Sequence, residues 1–190
     1  MKAENKKSLI NITLAGMFLA IGLLLPFLTG QIKQIGSMLL PMHIPVILCG
    51  LICGWKYGFA IGLIMPPLRY LLFSMPQIYP TGIAMALELA AYGAVVGLLY
   101  SRSKWHCIAS LYRSMLIAMV AGRIVWGAVM TIILGFGGFT WEMFMAGAFL
   151  NAIPGIILQL VFIPVVMIVL NKTGFVKFSN NKEKSVEISK

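Results

Sequence analysis

The chain has 190 residues, of which 60% are hydrophobic and only 11% charged, with mean hydropathy +0.94. A soluble domain carries about 45–50% apolar and about 25% charged residues, so a soluble fold is excluded and an all-α polytopic membrane protein is expected. The net charge of +10 does not mark a nucleic-acid binder: the basic residues sit in tails and loops, without a patch interleaved with aromatics.

Lys2, Lys6 and Lys7 precede an apolar run from about Leu9 to Leu28. That run is longer than a signal-peptide h-region of about 7–15 residues and no A-x-A site follows it, so it reads as a retained first helix. A spanning helix needs about 20 mostly apolar residues, and five further runs follow. The second covers about Met38 to Cys53, with Pro41 and Pro45 near its start, where a missing N–H is tolerated. After a break at Gly54-Trp55-Lys56-Tyr57, the others cover about Tyr57 to Phe73, Thr81 to Tyr100, Leu111 to Leu134 and Phe144 to Leu170. The expected architecture is a bundle of six transmembrane helices over residues 1–174, followed by a basic tail, 175–190. No separate soluble domain fits.

If six spans alternate, twelve of the fifteen basic residues fall on one side. They are Lys2, Lys6 and Lys7; Lys56; Arg102, Lys104 and Arg113; and Lys172, Lys177, Lys182, Lys184 and Lys190. The other side has Lys33, while Arg69 and Arg123 lie near or within spans. The positive-inside rule then puts both termini in the cytoplasm. The outer segments 29–37, 74–80 and 135–142 are polar, proline-stiffened or glycine-rich and aromatic, a composition suited to a lid over a buried site. Cys49, Cys53 and Cys107 read as free thiols rather than a disulfide set or metal ligands.

Small residues recur every fourth position at Gly50, Gly54, Gly58 and Gly62, at Gly93 and Gly97, and at Gly16 and Ala20. Such faces allow close helix approach. For spans two to four, packing within the chain is expected. On span one a partner subunit is an open alternative.

Ionisable residues inside a membrane are costly and usually functional. At about 1.5 Å per residue, Glu88 lies roughly 10 Å and Arg123 roughly 16 Å from the outer surface. His43 and Arg69 are nearer that surface, Asn151 is about two turns into span six, and Gln159 lies beyond mid-membrane. Each has a structural alternative. Glu88 and Arg123 either pair as a bridge or meet a ligand. Arg69 either snorkels to headgroups or binds. His43 either braces helices or binds, and Asn151 either satisfies carbonyls freed by Pro154 or binds. Tyr79, Tyr92, Trp126 and Trp141 are belt or core, but Tyr92 and Trp126 are deep enough to wall a flat ligand.

No G-x-S-x-G, H-E-x-x-H or Cys/His metal cluster is present. The Gly50–Lys56 stretch lacks the phosphate-loop pattern, so the chain itself is not expected to hydrolyse ATP or to be an enzyme. No cofactor and no metal are expected, and no inverted repeat is visible.

At this point the chain resembles a substrate-binding S component of the energy-coupling factor (ECF) vitamin transporters over nearly its whole length. The resemblance rests on size, six spans with both ends inside, and local patterns. Gly16-xxx-Ala20 is similar to the small-residue motif, usually Ala-xxx-Ala, by which the family's first helix docks on a transmembrane coupling subunit. Leu40-Pro-Met-His-Ile-Pro-Val46, Met75-Pro, Glu88-xxx-Tyr92-Gly93, Gly122-Arg123-xxx-Trp126-Gly127 and Asn151-xx-Pro154 look like a branch with pantothenate, pyridoxine and hydroxymethylpyrimidine carriers.

The resemblance implies a subunit that binds its vitamin from outside and topples on a coupling subunit driven by two ATPases, which agrees with the missing nucleotide site. Its expected substrate-binding residues are His43, Arg69, Tyr79, Glu88, Tyr92, Arg123, Trp126 and Asn151. The substrate is left open between pantothenate, B6, a pyrimidine precursor and a deazapurine-like compound. Glu88 suits an amino-heterocycle edge, and Arg69 or Arg123 a carboxylate or phosphate. The competing reading is a standalone carrier, proton- or ion-coupled, with Glu88 as proton site. A membrane enzyme using His43 and Glu88 has less support. Expected partners are the coupling subunit, two ATPases, a small substrate and lipid, with no nucleic acid.

Overall fold

The computed structural model describes residues 2–28, 40–103, 107–135, 138–150 and 152–174. Among these residues the chain is all-helical, without strands. The helices are α1 (Lys2–Leu28), α2 (His43–Cys53), α3 (Trp55–Phe73), α4 (Ile83–Arg102), α5 (Ile108–Leu134), the short α6 (Trp141–Met145) and α7 (Ile153–Lys172). Residues Ile78–Gly82 lead into α4 across a kink at Tyr79, whose φ of −110° and ψ of 133° are not helical, and a π-helical turn, Ala146–Leu150, follows α6.

Four of these segments are long and apolar enough to cross a membrane: Ser8–Pro26, Ile78–Arg102, Ile108–Leu134 and Ile153–Lys172. α3 has 19 residues but includes Lys56, Arg69 and the pair Pro66-Pro67. α2 is apolar yet only 11 residues long, roughly 16 Å at 1.5 Å per residue, about half of a bilayer's hydrocarbon core. It starts at His43 rather than Met38, with Pro45 in its first turn. The last helix also differs from the expected Phe144–Leu170. It begins at Ile153, with Pro154 in its first turn where the missing N–H is tolerated, and Phe144 belongs to separate α6. Tail residues 175–190 and the outer segment 29–37 lie outside the described residues.

A helix that is apolar all round is buried, and α2 is: every residue from His43 to Cys53 except Ile52 is buried. Glycine backbones make this possible. A Cβ at Gly50 would lie 2.5 Å from the Gly93 carbonyl oxygen, and one at Gly93 would lie 2.3 Å from that of Gly58. A Cβ at Gly62 would meet the Leu89 carbonyl oxygen at 2.4 Å. So α2, α3 and α4 touch backbone to backbone, and the four-residue glycine spacing here serves internal packing. Gly54, at φ 98°, makes the one-residue break between α2 and α3 in a backbone region costly for other residues.

α5 and α7 close the other side of the core, where Leu111, Met115, Ile163 and Met167 pack with Ile47, Tyr92 and Val96. α1 lies against α2 and α3 through Ala15 and Gly22, the latter facing Met65 and Pro45. Asn11 Nδ2 donates to the Cys53 carbonyl at 3.4 Å. The outward side of α1 carries Leu9, Ile12, Met17 and Leu24, all exposed. Gly16 and Ala20 are on that exposed side, and a Cβ at Gly16 would have no atom within 4 Å. Cys49, Cys53 and Cys107 are free thiols.

A buried candidate binding site

Three helices bring ionisable side chains to one point. His43 opens α2, its amide donating to the Leu40 carbonyl at 3.0 Å. Glu88 and Tyr92 lie one turn apart on α4, in register with buried Ala84, Val96 and Tyr100. Arg123 is on α5, four residues after buried Met119.

Arg123 Nη1 lies 2.8 Å from Glu88 Oε1, and His43 Nε2 lies 3.6 Å from the same oxygen. The imidazole also meets the Tyr92 ring edge-on, with centroids 5.0 Å apart and planes at 88°. Arg123 is 6% exposed, and the other three are 2% exposed or less. Gly122 permits this arrangement, because a Cβ there would fall 2.3 Å from the Tyr92 ring.

The cluster is poorly satisfied. The Arg123–Glu88 contact has ion-pair distance but not hydrogen-bond geometry, and Glu88 Oε1 has no hydrogen bond among the described residues. Neither imidazole nitrogen of His43 has one, nor do Nε and Nη2 of Arg123. Each buried polar group left without a partner costs about 1–3 kcal/mol, so this is an expensive way to hold a bundle together.

The other expected site residues are distributed differently. Arg69 is buried rather than reaching outward: its Nη1 donates to the Leu23 carbonyl of α1 at 3.1 Å, and the guanidinium lies 5.7 Å from the Phe73 ring centroid. It therefore ties α3 to α1. Tyr79 is 63% exposed, and its hydroxyl donates to the Ile133 carbonyl at 3.5 Å, a position that suits an interfacial tyrosine. Trp126 is half-buried and packs with Phe139 and Phe144, at centroid distances of 5.6 and 6.2 Å. This aromatic corner adjoins a shallow groove of about 420 Å³ lined mainly by apolar and aromatic side chains, including Ile124, Trp141 and Phe144. Asn151 lies outside the described residues.

Gln159 belongs with the buried polar groups although it was not among the expected site residues. It is 1% exposed, and its Nε2 has no hydrogen-bond partner among the described residues. It shares a helix face with Ile163 and Met167, which the fold buries, but the helix is apolar all round and nothing in its sequence marks that face.

Four apolar segments long enough to cross a membrane, around a core that holds a charged cluster, are the form of a membrane protein, in which such buried ionisable residues are usually functional. The chain belongs to the ECF transporter, substrate-specific component family, whose family model matches residues 11–167 and so spans every residue of the cluster. That family consists of substrate-binding components of transporters, which work with an ECF module of transmembrane and ATPase subunits; it is not a family of enzymes. No curated protein matches the chain in a sequence comparison.

Proposed function

We propose that this chain is the high-affinity substrate-binding subunit of an ECF-type importer in the cell membrane, taking up a vitamin or related small metabolite. In this reading the chain crosses the membrane six times with both termini cytoplasmic, the short α2 being sheltered by the helices around it, since nearly all of it is buried. The substrate binds at His43, Glu88, Tyr92 and Arg123, and Asn151 is a further binding residue in this reading. Arg69, Tyr79 and Trp126 shape or frame the site. Gly16 and Ala20 face the coupling subunit, and two ATPases supply the energy. Residues 1–174 form the membrane domain and 175–190 a cytoplasmic tail.

The observation that carries this reading is the cluster itself. A family member keeps a carboxylate, a guanidinium and an imidazole in its core with most of their hydrogen-bonding capacity unused. Replacing buried ion pairs by hydrophobes is often neutral or stabilising, so selection for stability alone does not explain them. Ligand contact does.

The test is mass spectrometry of small molecules released from the purified chain, followed by uptake of the released compound in cells with and without the ATPase module. The expected result is a specific bound metabolite whose uptake vanishes without the module. Uptake that persists without it identifies a standalone carrier instead.

A further inference from the structure

The geometry points to a substrate that carries a carboxylate, seated on the free edge of Arg123. This deepens the binding-subunit reading and depends on it. A guanidinium holds its donors in a fixed planar fork. Nε and Nη2 form one edge of that fork, with N–H bonds running side by side, and two such donors match the two oxygens of a carboxylate. Glu88 approaches Arg123 through Nη1. Nε and Nη2 are buried and have no hydrogen-bond partner among the described residues. The chain's own carboxylate thus leaves the two-donor edge unused.

The charge balance narrows the class further. The Nε–Nη2 edge offers donors only and carries the positive charge of the guanidinium, so a cationic group finds no acceptor there and is repelled. A neutral carbonyl offers one uncharged oxygen to the two donors, a poorer match than the two charged oxygens of a carboxylate. A doubly charged phosphate would bring two further negative charges into a core whose ion pair is already balanced; a carboxylate brings one. The His43 imidazole nitrogens, beside the same Glu88 and likewise without a hydrogen bond among the described residues, add further hydrogen-bonding positions. They suit hydroxyl, amide or ring-nitrogen groups elsewhere on the same acid.

The experiment uses the full chain purified in detergent. Molecules released on denaturation are identified by mass spectrometry. The chain stripped of them is then melted with matched pairs: pantothenate and panthenol, nicotinate and nicotinamide, biotin and biotin amide. Pyridoxine, thiamine and pyridoxal phosphate serve as neutral, cationic and phosphorylated comparators. The expected result is that the released molecule is a carboxylic acid, or that an acid raises the melting temperature while its neutral partner does not. Affinity for that acid falls by about 10- to 150-fold in Arg123→Lys, the equivalent of a charged hydrogen bond; lysine keeps the charge but lacks the paired edge.

A released or stabilising ligand that is neutral, cationic or phosphorylated overturns the inference while leaving the binding-subunit reading intact. An acid bound equally well by Arg123→Lys also overturns it. If that variant does not fold, the acid-over-neutral preference of the unmodified chain decides. If no molecule is released and no compound stabilises the chain, the binding-subunit reading and this inference fall together.

Discussion

Arg123 on α5 reaches Glu88 on α4 through a single nitrogen, at 2.8 Å, in a core from which both side chains are almost wholly shielded. The pair is both a brace and a part of the candidate site, and the two roles separate by measurement. Glu88→Gln keeps the volume and removes the charge. Arg123 is then left without its counter-charge, and breaking a buried pair costs about 3–5 kcal/mol in soluble proteins, so the melting temperature is expected to fall. If Glu88 accepts a hydrogen bond from a hydroxyl or amide donor of the substrate, away from the carboxylate on Arg123, affinity for the released substrate is expected to fall by about 1.5–3 kcal/mol, the contribution of a charged hydrogen bond. Titration calorimetry beside a melting curve reads both. A lowered melting temperature with unchanged affinity takes Glu88 out of the site and leaves it as a brace.

The contact between Tyr92 and the backbone at Gly122 gives a second prediction. A Cβ at Gly122 would sit 2.3 Å from the Tyr92 ring, whereas one at Gly16 would meet nothing within 4 Å. Gly122→Ala is expected to destabilise by about 1–3 kcal/mol through overpacking and to weaken ligand binding by displacing Tyr92 from His43. Gly16→Ala in the isolated chain is expected to leave both stability and binding unchanged. Equal melting temperatures for the two variants would contradict the packing at Gly122.

How far the sequence foretold this site depends on the kind of residue. Depth along single helices set Glu88 at roughly 10 Å and Arg123 at roughly 16 Å; the observed contact shows that side-chain reach and helix offset close that gap. Charge in an apolar run was enough to single out His43, Glu88 and Arg123. Arg69 was singled out on the same ground, but its bond to the Leu23 carbonyl depends on how α1 packs on α3, which no local pattern encodes. Gln159 falls beyond mid-membrane and outside the expected site; its helix is apolar all round, so no sequence pattern marks the face that the fold buries. The glycine spacing foretold close packing, yet not that α2 would be only 11 residues long. The late start of α7 was readable from Pro154, because proline fits a helix's first turn better than its interior.

Membrane orientation yields a third prediction. If the chain crosses the membrane six times, the concentration of basic residues on one side predicts that both termini and the 101–113 loop are cytoplasmic. In a background lacking Cys49, Cys53 and Cys107, single cysteines introduced at Ser103 and at Ser189 are expected to resist an impermeant thiol reagent applied to intact cells and to react once the membrane is opened. Labelling from outside at either position would reverse the topology.

The exposed small-residue face of α1 gives the last prediction. Ala15 and Gly22 turn inward, while Gly16 and Ala20 look away from the bundle. Glycine and alanine lower the surface so that another helix can approach closely, and within this chain that approach is not used at Gly16. Ala20→Trp places a large ring on the same face. Since Ala20 is exposed in the isolated chain, the ring has room there, and folding and substrate affinity are expected to match the unmodified protein. In the assembled transporter the ring holds the partner helix away, and uptake is expected to be lost together with co-purification of the coupling subunit. Binding by the isolated chain is measured first, then pull-down and uptake in cells. Loss of binding in isolation would show that this face supports the chain's own fold, and undiminished uptake would show that the coupling subunit docks elsewhere.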